Sequence, residues 1–327
     1  MGSKILVRLP NWLGDMVMSV GFLNQLPYFF PDSEISVIAK KGIHELLPFF
    51  PNTRHQFIFS KEEYKGFGGL IQFGKSIRKT ESFDFFFCLP NSFSTALAGF
   101  ATGSKKRIGY KKELRQLFLT NSYPIPGNMH RVEEYIRLLE LFTGKSHAPI
   151  DVSLKHSFSK KDHVVVNINS EASSRRLTIP KAIEFISSIR NKIPNEIILI
   201  GAAKEKQHVE QVLNLLPNKN NIRSVAGRTQ LPELVELLAS AKLLFTTDSG
   251  PAHLGNALGT HTYVLFGAGN ENKTAPYNKE FRSIFRLGEL SCEPCEKNIC
   301  VRYGIPQCLE QLKVDSITNH IKSAIHE

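Results

Sequence analysis

The chain has 327 residues, 42% of them hydrophobic and 22% charged, a globular composition that excludes general disorder and is long enough for two domains of about 150 residues each. Its longest apolar runs fall well short of the roughly 20 residues a membrane helix needs, and the first residues enter a strand pattern with no apolar signal-peptide core, so a cytoplasmic protein is expected. The 41 Lys and Arg against 30 Asp and Glu leave +11, of which residues 1–155 hold +7 through 20 basic and 13 acidic side chains; the excess suits nucleic acid, a phosphorylated glycolipid or an acidic membrane leaflet, and equally a solvated surface.

In chain order, the first half reads as short apolar strands near 5–9, 34–39, 56–59, 83–89 and 107–109 alternating with amphipathic helices. After the first strand comes "NWLGDMVMS", and from Asp15 the apolar Met16, Val20, Leu23 and Leu26 follow helical spacing, so Asp15 stands on a strand-to-helix corner. The stretch 61–80 interleaves Lys65, Lys75, Arg78 and Lys79 with Tyr64, Phe67, Leu70 and Phe73, a pattern that fits a helix on a membrane surface and also ordinary core packing. The polar run 153–163 precedes a fresh apolar strand and marks a boundary between domains at 1–158 and 159–327.

The second half repeats the punctuation, with strands near 163–169, 196–200, 222–224, 243–247 and 262–266. Two doubly wound α/β halves facing a cleft are expected, with ligand at the carboxyl ends of the strands. In "KLLFTTDSGPAHLGNALG" a strand runs into Asp248-Ser249-Gly250 and then a helix opened by Pro251, so the backbone N–H groups from Ser249 to Ala252 and the helix dipole form a phosphate site. Asp-Ser-Gly is also an aspartic-protease signature, but such a loop does not run straight into a helix and no second copy is present. "EIILIGAAKEKQHVEQVL" puts Gly201 after a buried strand and Glu205 near that strand's carboxyl end, where a carboxylate can hold ribose hydroxyls or simply favour the helix dipole. Cys292, Cys295, Cys300 and Cys308 follow a C-x2-C-x4-C-x7-C pattern, which offers a structural zinc site or reduced structural thiols, while Cys88 stands alone on an apolar strand. Paired CxxC knuckles with a recognition helix are missing, so nucleic acid is not the expected partner.

Taken together, "LPNWLGDMVMS", "LPNSFSTALAGFATGSKKRIGY", "GAAKE" and "AGRTQLPELVELLASAKLLFTTDSGPAHLGNALGT" resemble glycosyltransferase family 9, the ADP-heptose:lipopolysaccharide heptosyltransferases, over nearly the whole chain. The resemblance implies a GT-B fold and an inverting, metal-independent transfer of heptose from ADP-heptose to the phosphorylated inner core of lipopolysaccharide. It also implies peripheral contact with the inner face of an anionic membrane and no cofactor for catalysis, with the Cys-rich tail outside the chemistry. The N-terminal domain would hold the acceptor and the C-terminal domain the nucleotide sugar. Asp15 matches the general base, Arg175 the family's catalytic Lys, Ser170 a phosphate or sugar contact, Glu205 and Thr229 the adenosine contacts, and Asp248, Ser249, Gly250 and His253 the donor motif. The segment "INSEASSRRLTIP" departs from the Pro-Gly-Ala and Lys-Arg-Trp-Pro pattern of many relatives, with Arg175 at the Lys and Leu177 at the Trp. An Arg fork in place of a Lys point charge alters the donor geometry to be expected, leaving open a transferase with another nucleotide-sugar donor or a non-catalytic phosphosugar-binding protein.

Overall fold

The strands read as continuous apolar runs because both faces of each sheet are covered, the condition under which parallel strands form. The computed structural model describes residues 2–326 and falls into two compact units, Met1–Lys155 and His156–Glu327. In the first unit, β1 (Lys4–Arg8), β2 (Glu34–Lys40), β3 (Gln56–Phe59), β4 (Phe85–Cys88), β5 (Lys106–Tyr110) and β6 (Asn121–Tyr123) make a parallel sheet in the order β3-β2-β1-β4-β5-β6. Its helices are α1 (Leu13–Met18), α2 (Val20–Phe29), α3 (Gly66–Thr80), α4 (Phe93–Ala101) and α5 (Arg131–Thr143). Phe73 and Ile77 of α3 and Ala96 of α4 are buried against Phe86 and Cys88 of β4. Helices α3 and α4 meet closely at Gly74, where a Cβ would stand 2.5 Å from both the Ala101 Cβ and the Ala98 carbonyl.

The second unit repeats this order. Strands β7 (His163–Asn167), β8 (Glu196–Leu199), β9 (Ile222–Ser224), β10 (Leu243–Thr247), β11 (His261–Phe266) and β12 (Arg282–Arg286) form a parallel sheet ordered β12-β11-β10-β7-β8-β9. Its helices include α6 (Ile179–Lys192), α7 (Lys206–Leu215), α8 (Leu231–Ser240) and α9 (Gly250–Ala257), and the final helix Val314–His326 buries Ile317, Ile321 and Ile325, spaced by four, in the core beside Phe185 and Ile189. Each sheet thus reverses winding direction between its first and fourth strands, at β1/β4 and at β7/β10, and ligands of doubly wound sheets bind outside the carboxyl ends at that switch. Among the described residues no helix is long and apolar enough to cross a membrane.

Two edge strands carried no apolar run: β6 is Asn-Ser-Tyr, and β12 is Arg-Ser-Ile-Phe-Arg, half-buried throughout. The helix expected from Asp15 onward starts two residues earlier and breaks at Ser19, whose hydroxyl donates to the Met16 carbonyl at 2.6 Å, leaving α1 and α2 as separate elements.

Candidate functional site

In the first unit the chain leaves β1 and β4, neighbours with Arg8 opposite Cys88, through the same tripeptide, Leu-Pro-Asn, at Leu9–Asn11 and Leu89–Asn91. Arg8 is buried at the end of β1 and donates to the Leu9 and Ile38 carbonyls (3.0 Å each) and to Asn11 Oδ1 (2.6 Å), fixing the turn that leads to α1. Burial lowers its guanidinium to about 10, against a small opposing effect of Cys88. Asp15 then lies in the first turn of α1, where the helix dipole favours a carboxylate.

Asp15 does not stand alone. Its Oδ1 is 3.9 Å from Arg131 Nε at the start of α5, and Arg131 Nη1 donates to Glu134 Oε2 at 2.5 Å. Glu134 is buried, and desolvation raises its carboxyl above the ordinary value, with Arg131 and Asn91 opposing and Asp15 adding like charge. Tyr135 is buried beside Asp15, and burial first, then the Asp15 charge, push its phenol well above 10. Burial works against the Arg131 charge, but Glu134 and Asp15 outweigh it and raise that group. The arrangement leaves one partly open carboxylate, Asp15, beside a cation that is itself braced from behind by a buried acid. Arg131, Glu134, Tyr135 and Asn91 are absent from the sequence reading; the only signal was the repeated Leu-Pro-Asn, since the side chains from α5 meet Asp15 only through the fold.

In the second unit the switch point gathers Ser170, Arg175 and the Asp248-Ser249-Gly250 corner. Asn167, at the end of β7, donates through Nδ2 to Thr246 Oγ1 (3.0 Å), Ser249 Oγ (2.9 Å) and the Asn169 carbonyl (3.0 Å), while Thr247 Oγ1 donates to the same Asn169 carbonyl at 2.6 Å. Ser170 Oγ donates to the Asp248 carbonyl at 3.1 Å, and Arg175 Nη1 reaches Asp248 Oδ2 at 3.2 Å. Asp248 is buried, and desolvation raises its carboxyl despite Arg175, with Glu271 adding like charge. Gly269 makes room for it: a Cβ there would stand 2.1 Å from Asp248 Oδ2.

Ser249 occupies the N-cap position of α9, but its hydroxyl is turned to Asn167 and to the Thr247 carbonyl (3.1 Å) and does not cap the helix. The first turn of α9, with Gly250 at its start and Pro251 inside it, therefore presents backbone and dipole to an anion without a side-chain acceptor of its own. His253 is buried further along the same helix.

Glu205 and Thr229 lie apart from this cluster. Glu205 Oε2 accepts the Ala202 N–H at 2.8 Å, the local helix-start role that its position also allowed. The Gly227 N–H donates to the Gly201 carbonyl at 2.8 Å and so sets the loop carrying Thr229 beside the turn carrying Glu205, both beyond the carboxyl ends of β8 and β9. Thr229 also walls a polar groove of about 410 Å³ with Arg223 and Glu233, which includes no residue of the β7/β10 cluster.

Of the two readings of the cysteine spacing, structural zinc finds no support. Among the described residues no group of three or more His, Cys, Asp or Glu side chains could hold a metal ion, and Cys292, Cys295, Cys300 and Cys308 are free. Cys308 packs in the core, where a Cβ on Gly267 would come within 2.8 Å of its sulfur, and burial, then Glu293 and the neighbouring thiols, push it up to about 12. The Cys-rich segment serves the site through its backbone instead: the Asn298 carbonyl accepts from Ser174 N–H (3.2 Å) and Ser173 Oγ (3.3 Å), bracing the turn Ser173–Arg175.

Known proteins align with this architecture. The family model of glycosyltransferase family 9 (heptosyltransferase) matches residues 70–305. The chain is 23% identical to lipooligosaccharide heptosyltransferase 2 of Campylobacter jejuni over 98% of each chain, and 26% identical to lipopolysaccharide heptosyltransferase 2 of Escherichia coli over 86% of this chain and 87% of that one. Its fold matches the structure of E. coli ADP-heptose lps heptosyltransferase II with a TM-score of 0.84 and 24% identity, covering 99% of this chain and 98% of that one.

Proposed function

The chain belongs to glycosyltransferase family 9, and on that premise we propose that it transfers a heptose from ADP-L-glycero-D-manno-heptose to the phosphorylated inner core of lipopolysaccharide, by an inverting route that needs no metal. The reading rests on whole-length similarity to heptosyltransferase 2 relatives and on the chemistry of the two switch points.

The first unit takes the acceptor. Asp15 accepts the proton of the attacking hydroxyl as its oxygen bonds to the anomeric carbon on the face opposite the leaving group, the position inversion requires of a general base. Arg131 favours the ionised carboxylate and Glu134 holds Arg131 in place. The second unit takes the donor, with adenosine against Glu205 and Thr229 and pyrophosphate at Ser170 and the Ser249-Gly250 start of α9. As the bond from the anomeric carbon to the phosphate oxygen breaks, the charge growing on ADP meets the α9 N-terminus and the Arg175 guanidinium, which does by fixed dipoles and a cation what a metal does elsewhere. His253 lies on the helix that carries this site. The acceptor is a membrane glycolipid, so the reaction belongs at the cytoplasmic surface of a bilayer.

The observation that carries the reading is Asp15 itself, a partly open carboxylate at the switch point whose neighbouring acid, Glu134, is buried and paired. Calorimetry with ADP-heptose, UDP-glucose, GDP-mannose and ADP, on wild type and Glu205→Ala, tests the donor half. Preferential binding of the ADP compounds, weakened in the variant, is the expected result. Preference for a UDP or GDP sugar would overturn the donor, and binding of none would make the chain a non-catalytic relative.

A further inference from the structure

One face of the first unit sets exposed apolar side chains among most of that unit's positive charge. After β5 the chain forms the 3-10 helix Arg115–Phe118, in which residues three apart share an edge. Arg115 and Phe118 make the inward edge. Arg115 is fully buried and donates through Nη1 to Asn91 Oδ1 (2.8 Å) and the Tyr110 carbonyl (3.1 Å), and Phe118 packs on Phe93 and Phe100 with ring centroids 5.1 and 5.6 Å away. Leu114 and Leu117, joined by the bond from the Leu117 N–H to the Leu114 carbonyl (3.1 Å), form the outward edge and are 64% and 72% exposed. The anchor that buries an arginine thereby holds two leucines in water.

The apolar surface continues to either side. Phe100 of α4 is half exposed, with the Arg107 guanidinium 5.4 Å over its ring, and Phe67 of α3, more exposed still, meets Phe93 at 5.8 Å. Single exposed apolar residues need no explanation, but a connected set does. Its electrostatic surroundings identify the occupant. Apart from the buried Arg115, residues 100–120 contain five basic side chains and one acidic one, a net +4. Lys111 and Lys112, both exposed, precede Leu114 with only the exposed Glu113 between. A nucleic acid would match the charge and leave the leucines unburied. An anionic bilayer takes both, with leucine and phenylalanine at the acyl boundary and lysine at the headgroups.

We infer that the face built from the turn Leu114–Leu117, Phe100 and Phe67, flanked by Lys111 and Lys112, seats the protein on an anionic lipid surface. The inference deepens the transferase reading, and rests on it for its purpose, by naming the surface through which a membrane-embedded acceptor is reached.

Co-sedimentation with vesicles of phosphatidylcholine plus phosphatidylglycerol, and of phosphatidylcholine alone, tests it. Neither vesicle contains acceptor, so failure of the transferase reading leaves this result untouched, and failure here leaves the donor calorimetry untouched. Wild type is expected to bind the anionic vesicles about tenfold or more tightly than the neutral ones, and less as salt rises. Leu114→Ser/Leu117→Ser is expected to lose about tenfold in binding with an unchanged thermal midpoint, because both side chains are exposed. Lys111→Glu/Lys112→Glu, which keeps the leucines, should lose the preference for anionic vesicles. The inference is overturned if wild type ignores the vesicles, if the leucine variant binds them as well as wild type does, or if the leucine substitutions instead abolish self-association in solution.

Discussion

The two units share a strand order and use its switch point in opposite ways. At β1/β4 the Asp15 side chain keeps 32% of its surface open, facing a cation 3.9 Å away that is braced by a buried acid. At β7/β10 the Asp248 side chain is 4% exposed, set against Arg175, with both of its neighbouring loops tied down by Asn167, Ser170 and Thr247. The topology dictates where a crevice opens; the water left around its carboxylate determines the chemistry available. An open carboxylate can exchange a proton during a reaction cycle, whereas a buried one set against a guanidinium orders the groups that bind. In the proposed function this difference gives proton transfer to the first unit and the holding of an anionic leaving group to the second.

The largest effect expected short of removing the base itself is at Arg175. Arg175→Ala should lower kcat/KM for the donor about a hundredfold, measured by steady-state transfer, and a loss under threefold would sink its role at the leaving group. Next is Arg131→Met, with a fall of about tenfold. Arg131→Lys, which keeps a cation beside Asp15, should restore most of the rate. A rate that lysine does not restore would contradict a role for the Arg131 charge.

The buried side of the comparison has a pH signature. Desolvation holds Asp248 above the ordinary carboxylate value, so the folded chain retains this proton where the unfolded chain, titrating at about 3.9, has lost it. Asp248 therefore subtracts stability progressively as pH rises from that value through its raised folded one. Asp248→Asn removes the decline, so its stability relative to wild type should grow as pH rises across the window, read by urea unfolding at stepped pH. A difference constant with pH would contradict this. The smallest effect is expected at the cysteines: exhaustive chelation should leave the thermal midpoint in place, and a drop of several degrees would restore the metal.

Much of the architecture was legible because parallel strands buried on both faces announce themselves as runs such as "HVVVN" and "LLFTT". The edge strands β6 and β12 were not, since an edge needs only one partner and tolerates Asn121 and Arg282. Asp15, Asp248, Ser249 and Gly250 were legible as corners between strand and helix. Arg131, Glu134 and Asn91 were not, because they reach the site from α5 and the β4–α4 turn, and a single chain carries no trace of that meeting. The cysteine spacing left zinc and reduced thiols both open for a related reason: it records proximity along the chain, and not that Cys308 is drawn into the core.

The measurement that bears most directly on the division of labour is transfer and donor binding by Asp15→Asn, side by side with wild type. Loss of the base should cut the transfer rate about a thousandfold or more while calorimetry returns the wild-type affinity for the nucleotide sugar. Transfer within tenfold of wild type would contradict the assignment of the base, and loss of donor affinity would contradict the separation of the two sites.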